Sequence, residues 1–225
     1  MSIAAAQNFD FETAREHMVE RQVRTWEVLD PAVLDVMRSL RRDEFVPAQY
    51  RSLAYADAQV PLGHGEVMMQ PKVEGRLVQS LDIDSNDSIL EIGTGSGWLT
   101  ALLARLGGHV HSLDIREEFI AGAQRTLDAA GITNVALETR DAAMLDGITD
   151  QYDCIAVTGS MPTLHEAFCR QLKIGGRLFV IVGSGPIMEA RLLTRTAQDA
   201  WTMDSLFDAH VPPLVNAWSP KRFEF

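Results

Sequence analysis

Leu90–Thr100, LEIGTGSGWLT, closes one pattern and opens another. Ser88–Ile92, SILEI, is a short run of mainly large apolar residues, as in a strand covered on both faces. WLTALLARLG then repeats apolar residues at helical spacing as far as Gly107. Between them, Gly93, Gly95 and Gly97 let the chain turn sharply and leave its backbone open to a ligand. The alternation continues outward: VEGRLVQSL before the turn reads as a helix. After it come HVHSLDI (strand), EEFIAGAQRTLDAAG (helix ended by Gly131), VALETRD and YDCIAVTG (strands), TLHEAFCRQL (helix) and GGRLFVIVG (strand). Short strands alternating with helices are βαβ units, because parallel strands need such crossovers. The expected fold is α/β: a doubly wound, mostly parallel Rossmann-like sheet, with ligands bound at the carboxyl ends of its strands.

Two helical stretches precede this core. FETAREHMVERQVRTWEVL brings Met18, Val23 and Trp26 near helical spacing, and Glu20 stands four residues before Arg24. LDPAVLDVMRSL starts afresh, with Asp30 as N-cap and Pro31 in the first turn. Phe45 to Pro71 is rich in Pro and Gly and reads as irregular.

With 225 residues, 46% hydrophobic and 23% charged, the chain has the make-up of one ordinary globular domain. No apolar run approaches the roughly 20 residues of a membrane helix. MSIAAAQNFDFETAREHM lacks the basic start and apolar stretch of a leader peptide, so a cytoplasmic location is expected. Cys154 and Cys169 sit in apolar settings and read as reduced core thiols. A net charge of −11 argues against binding a phosphate backbone. The one basic cluster, RSLRRDEF, mixes Arg38, Arg41 and Arg42 with Asp43 and Glu44, and reads as a solvated helix end.

Several ligands suit a glycine-rich turn. A dinucleotide fingerprint would need a glycine where Trp98 stands, and a phosphate loop would need a Gly-Lys-Ser/Thr ending that is absent. Glu91 instead completes the E-x-G-x-G-x-G turn of methyltransferases that use S-adenosylmethionine. That cofactor has no phosphates, but it carries an ammonium, a carboxylate, a sulfonium and a ribose. Glu91 would face its cationic methionine part, and the backbone around Gly93, Thr94, Gly95 and Gly97 its carboxylate. Asp114 follows about 20 residues on, the interval at which an acid meets ribose hydroxyls. Asp141, in TRDAAM, would accept from the adenine amino group, with Ile115 and Ala142 beside these acids. Taken singly, Asp114 reads as a helix cap and Asp141 as a loop residue bonding its own backbone.

SILEIGTGSGWLTALLARLG, LDI, RDAAM and YDCIAVTGSMP together resemble a class I methyltransferase. More narrowly, AREHMVERQVR, DEFVP, AY, PLGHG, QP, LKIGGRLFVIVG and HVPPLV resemble the protein-L-isoaspartate O-methyltransferase family over nearly the whole chain. The resemblance implies one domain. Residues 1–80 would supply N-terminal helices and a substrate-side loop, and residues 81–225 the cofactor-binding core. It implies S-adenosylmethionine as cofactor and, as acceptor, the free α-carboxylate of L-isoaspartyl residues in damaged proteins, whose ester then cyclises to a succinimide.

The departure lies in Gly63–Pro71, GHGEVMMQP. In the family this loop reads roughly G-x-G-x-x-I-S-x-P, and its serine helps hold the substrate carboxylate. Met68 and Met69 occupy the isoleucine and serine places, and Gln70–Pro71 keep the register. A hydroxyl donor to an anion contributes about 1.5–3 kcal/mol, which methionine cannot supply. Compensation would come from loop amides, His64, Thr158, Ser160 or Lys72. The expected acceptor site is Met69, His64 and Thr158, with Met68 and Gln70 against the cofactor. Three outcomes stay open: isoaspartyl repair with a compensated site, transfer to a small-molecule or more apolar acceptor, or binding of the cofactor or its demethylated product without turnover. A further reading is that Met68 and Met69 simply pack in the core. None of His64, His165 and His210 has metal-ligand spacing. Trp218, Phe223 and Phe225 form a tail that packs over the sheet, meets a partner or stays loose.

Overall fold

The structure, a computed structural model, describes residues 10–142, 145 and 151–219; Phe223 and Phe225 lie outside them. Asp10 caps helix α1 (Phe11–Met18), accepting from the amides of Glu12 and Thr13. A π-helical turn (Val19–Val23) and a 3-10 turn (Arg24–Trp26) follow, and the chain reverses at Glu27 with φ 65°. Asp30 and Pro31 open α2 (Pro31–Ser39) as expected. The segment expected to be irregular holds a hairpin, β1 (Val60–Gly63) and β2 (Glu66–Met68), before α3 (Pro71–Ser80).

The core then alternates: β3 (Ser88–Ile92), α4 (Trp98–Leu106), β4 (His109–Asp114), α5 (Glu117–Ala129), β5 (Val135–Thr139), β6 (Tyr152–Met161), α6 (Glu166–Arg170), β7 (Leu172–Ser184), β8 (Ile187–Ala197) and β9 (Ala200–Ala209). They form one seven-stranded sheet in the order β5-β4-β3-β6-β7-β8-β9. The first five of that order are parallel, and β8 and β9 add an antiparallel edge. The strand order reverses between β3 and β6, so their carboxyl ends flank the crevice where such sheets bind ligands.

Strand residues alternate between two apolar layers. Ile89, Ala156, Phe179 and Ile181 face the layer shared with α1 to α4, while Leu90, Ile92, Ile155, Val157, Leu178 and Val180 face the other. Burying each such side chain contributes about 1.5–3 kcal/mol. Cover on both faces is why the strands read as continuous apolar runs. Burial pushes the Cys154 thiol up to about 12 and that of Cys169 to about 11, and neither is in a disulfide. Among the described residues no helix is long and apolar enough to cross a membrane.

Three features differ from expectation. The helix over TLHEAFCRQL shrinks to α6, capped by the His165 ring, because Leu172 already belongs to β7. Strands β8 and β9 are not legible in the pattern, since Glu189, Arg191 and Arg195 interrupt it. Arg195 is nevertheless buried, its guanidinium donating to the carbonyls of Leu172 (2.5 Å) and Gln198 (2.6 Å). Arg42 and Asp43 are not at a solvated helix end either. The core residues Leu40 and Phe45 on either side draw them inward, and both are fully buried. Arg42 donates to Glu74 (3.1 and 3.2 Å) and to the carbonyls of Ala54 (2.6 Å) and Met69 (2.7 Å). Trp98 Nε1 donates to the same Glu74 at 2.8 Å.

Candidate active site

The turn between β3 and α4 is built from close approaches. A Cβ on Gly93 (φ 98°) would stand 2.1 Å from Thr158 Oγ1, on Gly95 (φ 52°) 3.0 Å from Leu62, and on Gly97 (φ 81°) 3.0 Å from Ala123. Thr158 Oγ1, near the end of β6, donates to the carbonyls of Ile92 (3.0 Å) and Gly93 (2.9 Å). The Asp114 carboxylate, at the end of β4, accepts from the amides of Gly95 and Arg116, each at 2.9 Å. Burial raises the Asp114 pKa above the usual range while those two amides pull it down.

A cleft of about 710 Å³, part of it open to solvent, lies against this turn. Gly93, Gly95 and Thr158 line one side, and Asp114, Ile115, Phe119, Asp141 and Ala142 another. The hairpin supplies Leu62, Glu66 and Val67. Its tip is tied to the start of α5 through His64 Nε2 and Glu118 Oε1, 2.7 Å apart. The remaining wall is a strap, Val211 to Val215. Ser160 N donates to the Pro212 carbonyl and Leu214 N to the Ser160 carbonyl, both at 2.9 Å. Gly159 admits this strap, because a Cβ there would meet Leu214 at 2.8 Å. Asn216 Nδ2 donates to Asp141 Oδ2 at 2.6 Å.

These walls fit S-adenosylmethionine. The turn leaves backbone rather than side chain at the cleft, and the two amides leave lone pairs of Asp114 for ribose hydroxyls. Ile115, Phe119, Ala142 and Leu214 offer apolar faces for a base beside Asp141.

The structure gathers Gly93, Gly95, Asp114, Ile115, Asp141, Ala142 and Thr158 at one cleft. Thr94 and Gly97 shape the turn from behind: Thr94 is buried with its hydroxyl 2.6 Å from Ser112, and Gly97 packs on α5.

The other expected site residues are elsewhere. Glu91 does not line the cleft. Strand alternation turns it beneath α4, where Oε2 accepts from Thr100 and Ser112 at 2.5 Å and Oε1 has no partner among the described residues. Burial lifts its pKa to about 8. Met68 points into the core because it alternates on β2 with the cleft-lining Val67, and Met69 is buried beside it. Gln70 borders a second cleft, and His64 is occupied at the hairpin tip.

Sequence reasoning passed over Leu62, Glu66, Val67, Arg116, Phe119 and the strap. Period-two alternation across EVM would have set Val67 opposite Met68. HVPPLV was visible as a motif but carried no role. Trp218 is half-exposed and meets the His165 ring edge-on, with centroids 6.2 Å apart. Among the described residues no group of three or more His, Cys, Asp and Glu side chains could hold a metal ion.

The sequence pattern of the protein-L-isoaspartate(D-aspartate) O-methyltransferase family matches residues 13–217. The chain belongs to this family. A protein-L-isoaspartate O-methyltransferase 2 of Pelobacter propionicus is 34% identical over 92% of this chain and 92% of its own length. A protein-L-isoaspartate O-methyltransferase 1 of Rhodopseudomonas palustris is 35% identical over 91% of this chain and 84% of its own. A Plasmodium falciparum structure described as a protein-L-isoaspartate O-methyltransferase, solved with S-adenosyl-L-homocysteine, superposes with a TM-score of 0.75 at 18% identity. It covers 91% of this chain and 97% of its own, and establishes the shared fold.

Proposed function

We propose that this chain transfers a methyl group from S-adenosylmethionine to the free α-carboxylate of L-isoaspartyl residues in polypeptides. The reading is carried by a cleft at the sheet's switch point whose glycine turn has no room for a Cβ and whose Asp114 faces the ligand space, in a chain of this family. Asp114 would hold the ribose, the turn around Gly93 and Gly95 the methionine part, and Asp141 with Ala142 the adenine. Bound there, S-adenosylmethionine supplies an electrophilic methyl on a sulfonium, and its leaving group is a neutral thioether.

The protein's own work is placement. A carboxylate acceptor is already ionised near pH 7, so no general base is required. That agrees with a Thr158 hydroxyl committed to two backbone carbonyls. Hairpin and strap keep water from the reacting atoms, and holding acceptor and donor together contributes the effective molarity of a positioned pair. Two buried, unpaired thiols suit a reducing cytoplasm.

The test uses labelled S-adenosylmethionine with an isoaspartyl peptide and its aspartyl twin. Base-labile methyl esters on the first alone are expected, and no ester on either removes the reading. The buried Met69 in the serine's place favours, as second reading, a different carboxylate or more apolar acceptor. Transfer to small molecules of an extract but to neither peptide would select it.

A further inference from the structure

Resting on that reading of the donor site, the positive charge of a bound S-adenosylmethionine has to be met by the protein. With Glu91 turned beneath α4, the acids that line the cleft are Glu66, Asp114 and Asp141. Asp141 accepts from Asn216 at 2.6 Å, and Asp114 from the amides of Gly95 and Arg116. Glu66 accepts no hydrogen bond among the described residues. Its ion pair is with Arg116, whose Nη2 stands 3.8 Å from Oε1, beyond hydrogen-bond length. The other cleft-lining cation, Arg140, is 2.9 Å from Glu138, which lies outside the lining. The cleft therefore carries a surplus of negative charge, and Glu66 is its least committed acid.

Two sets of contacts place Glu66. Gly63 and Glu66 are partners across the hairpin, and Leu62, next to Gly63, reaches over Gly95, where a Cβ would stand 3.0 Å from it. On the other side is Arg116, whose amide donates to one oxygen of Asp114, while the Gly95 amide donates to the second. Glu66 thus overlooks the junction of Gly95 and Asp114. The turn would hold the methionine part of the donor and Asp114 its ribose, and the sulfur is the atom that joins the two.

Burial raises the pKa of Glu66, Arg116 and His64 oppose the rise, and Asp114 adds to it. A cation entering beside both acids relieves both. We infer that Glu66 faces the sulfonium and so selects the charged methyl donor over its spent form. The two ligands share adenine, ribose, ammonium and carboxylate and differ in the charge on sulfur. Transfer of the methyl leaves that sulfur neutral, so this attraction ends with the reaction while the other contacts persist. The hairpin acid thereby favours loading of fresh donor over retention of product.

Calorimetry of S-adenosylmethionine and S-adenosylhomocysteine binding, without acceptor, tests this through the ratio of the two affinities. Glu66→Gln, which keeps the shape and removes the charge, is expected to weaken the donor roughly tenfold and the product no more than about twofold. Glu66→Asp keeps the charge and should hold the ratio within about threefold of the parent's. Arg116→Met removes the opposing cation and should move the ratio the other way. A purely structural Glu66 would shift both ligands together. Equal weakening of the two in Glu66→Gln, or no change in either, overturns the inference and leaves the functional reading standing. A parent that binds neither ligand overturns both. A parent that shows the expected ratios yet esterifies no isoaspartyl peptide overturns the acceptor assignment and upholds this inference.

Discussion

Two loops of this chain use the same backbone device for different reasons. Gly93, Gly95 and Gly97 have φ of 98°, 52° and 81°, and Gly63, His64 and Gly65 in the hairpin have 101°, 56° and 86°. In the turn each absent Cβ would meet a neighbour, at 2.1 to 3.0 Å, whereas in the hairpin neither glycine has anything within 4 Å. Glycine in the turn answers to packing and torsion together. In the hairpin it answers to torsion alone, and His64 shows that a side chain fits there. The hairpin's position is set from outside, by Arg42 on the Met69 carbonyl and Glu118 on His64.

The contrast breaks first at Arg42. Arg42→Ala leaves Glu74 buried without its cation and frees the hairpin's exit, a loss of about 3–5 kcal/mol readable as a lowered urea midpoint. A loss under about 1 kcal/mol would mean that the hairpin holds itself. Gly93→Ala should cost roughly 3 kcal/mol, from torsion and overlap with Thr158, and weaken S-adenosylhomocysteine binding more than tenfold by calorimetry.

Glu91 gives a test in pH. Its folded-state pKa of about 8 lies above the unfolded value of 4.5. Its contribution to stability is therefore full below the unfolded value and is lost as pH rises towards the folded one. Glu91→Gln mimics the neutral form, so stability measured from about pH 5 to 8 should vary less in the variant than in the parent. Parallel curves would show that Glu91 is ionised in the fold.

Gly65→Ala should cost only about 1 kcal/mol, for torsion, and leave cofactor-product affinity within twofold. His64→Ala removes one half-exposed contact with Glu118 and should lower stability by no more than about 0.5 kcal/mol, read from the urea midpoint. If Gly65→Ala proved as damaging as Gly93→Ala, the two loops would not differ in kind.

The same contrast explains what could be read in advance. The parallel core was legible because its central strands β3, β6 and β7 are covered on both faces and helices α4 and α5 end at glycines. The cofactor wall was legible because a glycine turn and an acid on the neighbouring strand keep a regular interval. Glu91 belongs to the same motif, yet strand alternation turns it to the opposite face. Met68 and Met69 sit in an informative register, but a motif position names a place in the chain and not the direction of a side chain. Arg42 looked like surface because its partners lie 12 to 32 residues away, at Ala54, Met69 and Glu74. The strap and the β8–β9 edge depend on contacts between distant segments, which local pattern does not encode.

Val211 to Val215 close the main cleft against β3, β4 and β6, strands that end 50 or more residues earlier in the chain. Enclosure of the ligand is therefore a long-range property: a chain cut after Ala209 would keep the glycine turn and Asp114 but leave them beside a trough open along one side.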